Sequence, residues 1–346
     1  MRRTHNSKKK VIIAILIALA VIAIFAFGLR IIERMGLEDE QFGDTGEWGD
    51  EDETIELSLD DKIYISQDNL DTYLIIGTDS GGEDLGPMYS GELADFLSLL
   101  IVDNTTEKFA FYQIDRNSMV LMAVPDEEGN DNDLEEMQIC ISHWYGEDQE
   151  ARNDYTATAV TTLLGDLDID NVYSIEMTDI GAINHAIGGV EVDIQTDMTS
   201  VDPAFVKGAT VLLTDKQAEE FVRARMNVGG GTNAERMDRQ TQYMQKVYNL
   251  VMNQVRENPE YLNELYGQLK GKIYVDGSED NFSRMANQIS QYESQGIMRF
   301  DGKTKVSDTM GDGIEHEEFY VDQSSIVRNL QKIMDLEEAP EDYYEE

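Results

Sequence analysis

The sequence predicts a mixed α/β domain, a three-layer α/β/α sandwich that follows a single N-terminal transmembrane helix. Three features lead to this prediction: a long apolar run near the N-terminus, short apolar runs typical of buried strands, and helical segments that alternate with those strands. The chain has 346 residues, which is enough for one large α/β domain with a full hydrophobic core.

The N-terminal apolar run occupies residues 11–29 and contains no charged or polar side chain. Its length suits a helix that crosses the hydrocarbon core of a bilayer. Basic residues in segment 1–10 precede it and acidic residues follow it, so we expect a cytoplasmic N-terminus and an extracytoplasmic main domain in the cell membrane. The alternative is a cleaved signal peptide with a small-residue site at 26–28, although the run is longer than the usual signal core.

Composition divides the rest of the chain. We predict an acidic, glycine-rich linker over residues 30–69, a folded domain over residues 70–335, and an acidic tail over residues 336–346. The formal net charge of −42 disfavours nucleic acid as a partner, because such binding needs lysine and arginine against the phosphates.

The predicted elements of the domain alternate between strands and helices. Apolar runs that end in polar turn residues predict strands, and amphipathic stretches that end in glycine predict helices. The predicted strands are 72–80, 94–103, 108–116, 171–177 and 190–194, and the predicted helices are 156–165 and 179–189.

Two further helices flank a run of three glycines. Thr214 and Gln217 form a capping-box pattern that starts the first helix. That helix cannot run far past Met226, because the glycines at 229–231 stop it. Asn233 is the predicted cap of the second helix.

Four arginines lie on either side of these glycines, two before them and two after them. The second pair shares a helix face with Gln240 and Tyr243, near the helix N-terminus. Free N–H groups at a helix N-terminus, together with guanidinium groups, form a typical phosphate site. The alternative is that the arginines pair only with the many surface carboxylates. The four are Arg223, Arg225, Arg236 and Arg239.

Three more charged residues are predicted at strand ends. Asp79 ends the first predicted strand, Asp95 starts the second, and Arg116 follows the third. Ligands of open α/β sheets bind at such an edge, and a phosphate ligand usually needs a hard cation held by carboxylates.

These segments, in this order, resemble the LytR-CpsA-Psr family of extracytoplasmic phosphotransferases over residues 74–335. The similar stretches are YLIIGTDS, ADFLSLLIVD, IDRNS, LLGDLDIDNVYSI, AIGGVEVDI, LTDKQAEEFVRAR and RMDRQ. The resemblance implies transfer of a glycopolymer from a polyprenyl-pyrophosphate carrier to peptidoglycan in Gram-positive cell-wall assembly. It also implies an apolar cavity that takes the prenyl chain.

The resemblance implies a role for each candidate residue. Asp79 and Asp95 would hold Mg²⁺ or Mn²⁺, and Asp95 would act in catalysis together with Arg116. The residues implied to bind the pyrophosphate are Arg116, Arg223, Arg225, Arg236 and Gln240, with Arg239 beside them.

The sequence departs from the family pattern at three places. Leu93 stands where an arginine is expected, residues 115–118 read Asp-Arg-Asn-Ser in place of Pro-Arg-Asp-Thr, and glycines follow the first strand. If Asp115 points into the site, it either repels phosphate or supplies another metal ligand. Two other functions therefore stay open: a polyprenyl-pyrophosphate hydrolase, and a lipid-phosphate-binding protein without turnover.

Two other residues have chemical side chains whose roles the sequence leaves open. His143 is either a general base for the acceptor hydroxyl or a histidine of the core or a loop. Cys140 lies in an apolar stretch and is predicted to be a buried, inert thiol.

Overall fold

The computed structural model describes residues 54–79, 92–125, 133–226, 228–258, 261–275, 284–285, 288–340 and 343. Within these ranges no helix combines the length and the apolar character that a membrane span needs. The predicted cytoplasmic segment, the predicted span and most of the predicted linker lie outside the described residues.

The strands of the described part of the chain are numbered in chain order. They are β1 Ile55–Leu59, β2 Lys62–Ser66, β3 Leu70–Asp79, β4 Leu93–Asp103, β5 Lys108–Ile114, β6 Met119–Val124, β7 Asp133–Gln138, β8 Asn171–Glu176, β9 Glu191–Asp193, β10 Thr210–Leu212, β11 Ile273–Val275, β12 Glu293–Arg299, β13 Gly302–Ser307, β14 His316–Val321 and β15 Glu337–Glu338.

The α-helices of the same ranges are numbered likewise. They are α1 Gln149–Leu163, α2 Ile180–Ile187, α3 Asp215–Arg223, α4 Asn233–Glu257, α5 Tyr261–Leu269 and α6 Gln323–Leu330, and short 3₁₀ helices span Ile139–Trp144 and Met177–Asp179.

A six-stranded central sheet organises the domain, with the strand order β11-β8-β3-β4-β5-β12. β8 is parallel to β3, β12 is parallel to β5, and β4 runs antiparallel to both of its neighbours. The start of β4 therefore lies at the same edge of the sheet as the ends of β3, β5, β8 and β12. We call this edge the upper edge of the sheet.

Both faces of the central sheet are covered. Successive strand residues point to opposite faces, so Tyr73 joins one hydrophobic core and Leu74 joins the other. The first core includes residues of α2, α3, α4 and α5, and the second includes residues of α1 and α6. The prediction of a mixed α/β fold is confirmed.

Most predicted elements are present, with shifted ends. The helix predicted from residue 156 begins at Gln149, because Asp148 caps it by accepting a hydrogen bond from the backbone N–H of Ala151. The capping box of Thr214 and Gln217 is present at the start of α3. The predicted cap of α4 is wrong by one residue, since Thr232 accepts the capping hydrogen bond.

The described part of the predicted linker belongs to the folded domain. β1 and β2 form an antiparallel hairpin whose turn residues Asp60 and Asp61 have φ of 55° and 57°, as a two-residue type I′ turn requires. Leu57 and Leu59 are buried in the second core. The linker prediction is therefore wrong for residues 54–69, because the acidic composition of this segment masks two inward-facing leucines.

The hairpin is fixed to the end of α1 and to the C-terminal segment. The backbone N–H of Ser58 donates to the carbonyl of Gly165 at 2.8 Å. Gly165 has φ of 72°, and a Cβ there would lie 2.6 Å from the Ser58 carbonyl oxygen. β15 pairs with β2, so the start of the predicted acidic tail is also part of the fold.

Replacing Leu57 by alanine should lower the free energy of unfolding by about 3 kcal/mol, because it removes a fully buried side chain from the second core. Denaturant unfolding of the purified full-length chain measures the change. Ser58→Ala, at the exposed neighbouring position, is the control and should change stability little. Equal stability of Leu57→Ala and the unchanged protein would show that the hairpin is not part of the cooperative domain.

Candidate functional site

Asp95 lies at the upper edge of the sheet and holds two arginines. Its Oδ1 is 3.0 Å from Nε of Arg116, and its Oδ2 accepts a hydrogen bond of 3.0 Å from Nη1 of Arg236. Arg116 and Arg236 are only 1% and 2% exposed. Buried guanidinium groups that share one carboxylate differ from a lattice of surface ion pairs, which contributes little per pair.

The charge of Asp95 is set by these arginines. Burial alone raises the pKa of a carboxyl group, but the guanidinium groups of Arg116 and Arg236, with a contribution from Arg225, hold the pKa of Asp95 below its ordinary value. Asp95 is therefore ionised at neutral pH, and three of the predicted arginines act on it.

Asp79 pairs with Arg223 at the same edge. Nε of Arg223 donates to Oδ2 at 3.1 Å and Nη2 donates to Oδ1 at 2.8 Å, which is a bidentate pair. Nη1 of Arg223 also donates to Glu219 at 2.7 Å. After Arg223 the chain becomes extended at Ala224, with ψ of 128°. Residues two apart in extended chain project to one side, as expected for Arg223 and Arg225.

Arg225 pairs with a carboxylate that sequence reasoning missed. Its Nη2 donates to Oε2 of Glu317 at 2.6 Å, and its Nε donates to the carbonyl of Gly231 at 3.3 Å. Glu317 lies in β14, almost a hundred residues from the arginine motif. In so acidic a chain no sequence signal separates this glutamate from the others.

Asn233 connects Asp115 to the arginines. Its Nδ2 donates to Oδ1 of Asp115 at 2.6 Å, and its Oδ1 accepts from Nη2 of Arg236 at 2.7 Å. Burial raises the pKa of Asp115; hydrogen bonds from Asn117 and Asn233 oppose this, and Glu317 adds to it. Asp115 is thus held by amide donors and stays close to the charged groups.

We call this assembly the arginine site. It contains four guanidinium groups and, with Glu219 beside Arg223 included, five carboxyl groups, so carboxylates of the same chain match the described arginines. The members of the arginine site are Arg116, Arg223, Arg225, Arg236, Asp79, Asp95, Asp115, Glu317 and Asn233.

The glycine run allows the two arginine segments to approach each other. Gly229 and Gly231 have φ of 54° and 70°, which glycine adopts without strain. A Cβ at Gly229 would lie 2.7 Å from the carboxylate oxygens of Glu235, and that carboxylate accepts a hydrogen bond from the N–H of Gly230.

Arg239 and Gln240 contact backbone carbonyls. Arg239 donates to the carbonyls of Phe221, Ala224 and Glu235, which ties α4 to the end of α3. Burial, followed by the nearby charge of Arg236, lowers the pKa of Arg239 to about 10. Gln240 donates to the carbonyl of Val222 and accepts from Gln113. Their predicted contact with pyrophosphate stays a prediction.

The two predicted metal ligands meet the chemical requirement for Mg²⁺ only in part. Magnesium is commonly held by one or two carboxylates together with substrate phosphates. Asp79 and Asp95 are two such carboxylates, and both bind guanidinium groups. Among the described residues no group of three or more His, Cys, Asp or Glu side chains is arranged to hold a metal ion. An ion on these two carboxylates would need further ligands, such as the oxygens of a bound phosphate.

A cavity of about 140 Å³ lies beside the arginine site, between the central sheet and α2, α3 and α4. Four segments of the arginine site place a nearby residue in its wall. The wall includes Gly77, two residues before Asp79; Phe96, next to Asp95; Val222, next to Arg223; and Gln240, one turn after Arg236. Its other walls are mainly aliphatic and aromatic side chains.

Three other residues singled out from the sequence lie in the core. Nδ1 of His143 is 3.1 Å from Oγ1 of Thr156, and burial lowers the pKa of His143 to about 4. His143 contacts no residue of the arginine site in the described structure, so the core alternative holds. Cys140 is buried, and burial raises the pKa of its thiol. Leu93 is buried in the second core.

Asp115→Asn should stabilise the ligand-free protein at neutral pH. A carboxyl group whose pKa is higher in the folded chain than in the unfolded chain favours folding while it is protonated. This contribution to stability is lost as the pH rises above 3.8, the ordinary pKa of the group. The variant keeps an oxygen for both amide donors and lacks the desolvated charge.

The unfolding midpoints of both proteins, measured from pH 4 to pH 8, should therefore diverge as pH rises. Glu315→Gln removes a charge at an exposed position and should leave the pH profile unchanged. A lower midpoint for Asp115→Asn at pH 7 would show that the ionised carboxylate stabilises the site.

Comparison with known proteins identifies related sequences and folds. A model of the LytR_cpsA_psr family matches residues 44–335, which includes the β1–β2 hairpin. A search of curated proteins gave no match.

Several solved structures have a similar fold. Protein gbs0355 from Streptococcus agalactiae is 17% identical with a TM-score of 0.58, and the match covers 77% of this chain and 86% of that chain. TagV from B. subtilis is 15% identical with a TM-score of 0.54, covering 78% and 98%. A structure of TagT bound to LI-WTA is 16% identical with a TM-score of 0.55, covering 77% and 89%.

Proposed function

The chain belongs to the LytR-CpsA-Psr family, and on that premise we propose that it is a phosphotransferase which moves a glycopolymer from a polyprenyl-pyrophosphate carrier to peptidoglycan. The arginine site is the proposed active site. The observation that carries the proposal is that guanidinium groups from three distant segments meet at one site. Two of these groups, those of Arg116 and Arg236, are buried against the carboxylate of Asp95.

The arrangement suits phosphoryl transfer. That reaction depends mostly on positioning and on neutralising charge on the transferred group. Arg116 and Arg236 are held rigidly by Asp95, while Arg223 and Arg225 lie at the end of α3 with more exposure. Arg239 acts in this proposal as a positioning residue, since it fixes the end of α3 on which Arg223 and Arg225 depend.

Ligand binding would exchange the partners of the arginines. In the ligand-free protein each guanidinium group faces a carboxylate of the same chain. A diphosphate offers stronger and more numerous acceptors for the same N–H groups. As Arg116, Arg223 and Arg236 turn to phosphate, Asp79 and Asp95 become available to Mg²⁺ or Mn²⁺, while Arg225 keeps its hydrogen bond to Glu317. The ion, when bound, supplies additional neutralisation of phosphate charge.

The cavity supports a lipid carrier. Its walls are mainly apolar, and it lies beside the residues proposed to bind the diphosphate. Small-molecule sites commonly combine an apolar pocket with a few polar groups at one end. The LI-WTA complex of TagT, a protein of the same fold, supports a cell-wall glycopolymer as the ligand.

The proposal includes the location inferred from the sequence. Residues 11–29 would anchor the chain in the bilayer, with the domain outside the cell beside its lipid carrier and peptidoglycan.

One reaction separates this function from its two alternatives. The purified full-length protein is incubated with a short prenyl diphosphate that carries an oligosaccharide, Mg²⁺ and a peptidoglycan fragment, and the products are identified by mass spectrometry. We expect a phosphodiester between oligosaccharide and fragment. Free oligosaccharide phosphate would indicate hydrolysis, and bound lipid without any product would indicate a binding protein; either result contradicts transfer.

Arg116→Ala should lower kcat/KM for transfer by about 100-fold, because it removes a preorganised donor of charge stabilisation. Arg116→Lys keeps the charge without the planar fork and should retain an intermediate rate. Circular dichroism checks that both variants fold. Arg284→Ala, at an exposed arginine outside the site, should react as the unchanged protein does. Full activity of Arg116→Ala would exclude Arg116 from the active site.

Ile297→Trp should fill part of the cavity and weaken binding of a prenyl diphosphate at least tenfold, while binding of inorganic pyrophosphate stays the same. Isothermal titration calorimetry with both ligands gives the comparison. Ile314→Trp, at an exposed isoleucine, is the matched control. Equal affinity of Ile297→Trp and the unchanged protein for the prenyl ligand would place the lipid elsewhere.

A further inference from the structure

The acceptor hydroxyl in this reaction must lose a proton, and neither the sequence nor the family match says which group takes it. His143 contacts no described residue of the arginine site. Asp79 and Asp95 are paired with arginines, and their own side chains are only 9% and 7% exposed. The side chain of Glu317 is 21% exposed, so an incoming hydroxyl has access to it.

Glu317 is oriented through one of its two oxygens. Oε2 accepts from Nη2 of Arg225 at 2.6 Å, and it also lies 3.4 Å from the backbone N of Asn233 and from Nδ2 of Asn117. All of these described hydrogen bonds go to Oε2. The second oxygen, Oε1, is therefore the one that can meet a substrate group.

The backbone around Glu317 is fixed to the segment that carries Arg116. The carbonyl of Glu317 accepts from Nε2 of Gln138 at 2.8 Å, and the N–H of Phe319 donates to the carbonyl of Asn117 at 2.8 Å. The carboxylate thus keeps its position relative to the arginines. Because Arg225 contacts it directly, a phosphate bound to Arg225 would lie within one guanidinium width of Glu317.

Position 117 gives a second argument. Asn117 follows Arg116 in the loop after β5 and ends in an amide. Glu317 places a carboxylate 3.4 Å from that amide. The carboxylate of Glu317, on β14, thus lies in the corner of the site where the loop after β5 carries the amide of Asn117.

We propose that Glu317 is the general base of the transfer reaction, an inference that rests on the proposed function. Oε1 takes the proton as the acceptor O–H bond breaks, and the acceptor oxygen forms a bond to the phosphorus that carries the glycopolymer. The bond from that phosphorus to the bridging oxygen breaks, and its electron pair leaves with the prenyl phosphate. The protonated Glu317 then returns its proton to solvent.

Asp115 is the competing carboxyl group, because it lies close to Glu317. The charge of Glu317 contributes to the raised pKa of Asp115. Its Oδ1 is held by Asn117 and Asn233, and no arginine donates to it in the described hydrogen bonds. Glu317, in contrast, contacts an arginine directly. The geometry favours Glu317.

The test compares single-turnover transfer with binding of inorganic pyrophosphate. Glu317→Gln should slow transfer by about 100-fold, since general base catalysis typically contributes that much or more. Its affinity for pyrophosphate should stay within about threefold, because the amide oxygen can still accept from Arg225. Asn117→Asp in the Glu317→Gln background returns a carboxylate to the corner and should recover at least tenfold of the rate. Glu315→Gln, on the same hairpin, should transfer at the original rate.

Three results would overturn the assignment. Unchanged transfer by Glu317→Gln would leave Glu317 as an ion-pair partner of Arg225 only. Loss of transfer together with loss of pyrophosphate binding, without rescue by Asn117→Asp, would make its role structural. If the unchanged protein transfers nothing to any acceptor, the proposed function itself fails and the base assignment fails with it; in the other two cases the proposed function stands.

Discussion

A single carboxylate, that of Asp95, fixes the geometry on which the proposed chemistry depends. It lies at the start of β4 and binds Arg116 from the loop after β5 and Arg236 from the first turn of α4. Removing one partner from such a buried cluster leaves an uncompensated charge, which is strongly destabilising. The cluster therefore fixes the position of α4 relative to the sheet. Asn233 extends it by joining Arg236 to Asp115.

The proposed function requires an acidic chain to bind a polyanion, and the arginine site offers a way to do so. Carboxylates of the same chain neutralise the guanidinium groups and keep the ligand-free domain stable. We propose that a diphosphate replaces Asp79 and Asp95 as the hydrogen-bond acceptor of their arginines, and that these two carboxylates then hold a cation. In this proposal, anion binding is coupled to metal binding through partner exchange, and the apolar cavity adds affinity for a lipid chain.

The sequence was informative where local rules apply and uninformative where distant segments meet. Asp79 and Arg116 were predictable because apolar strands end at or just before them, and Asp95 because an apolar strand starts there. Arg236 was predictable because the preceding glycines and the helical spacing place it in the first turn of a helix. Glu317 was not predictable, since its role arises only from packing of a late hairpin against the loop after β5.

Three other differences have equally specific causes. Arg239 shares a helix face with Arg236, but its guanidinium group satisfies the carbonyls left free at the end of α3, a demand that spacing alone does not reveal. The composition of the β1–β2 hairpin is typical of a linker, because its acidic residues outnumber its two buried leucines. Asn233 was expected only to cap α4, whereas its side chain bridges two charged groups.

The most direct test of the account is a crystal structure of the protein with a short-chain prenyl diphosphate and Mg²⁺. Partner exchange predicts phosphate oxygens within hydrogen-bond distance of Arg116, Arg223, Arg225 and Arg236, the ion on Asp79 and Asp95, and the prenyl chain in the cavity beside Phe96. A ligand bound elsewhere, with the pairs Asp79–Arg223 and Asp95–Arg236 intact, would contradict it.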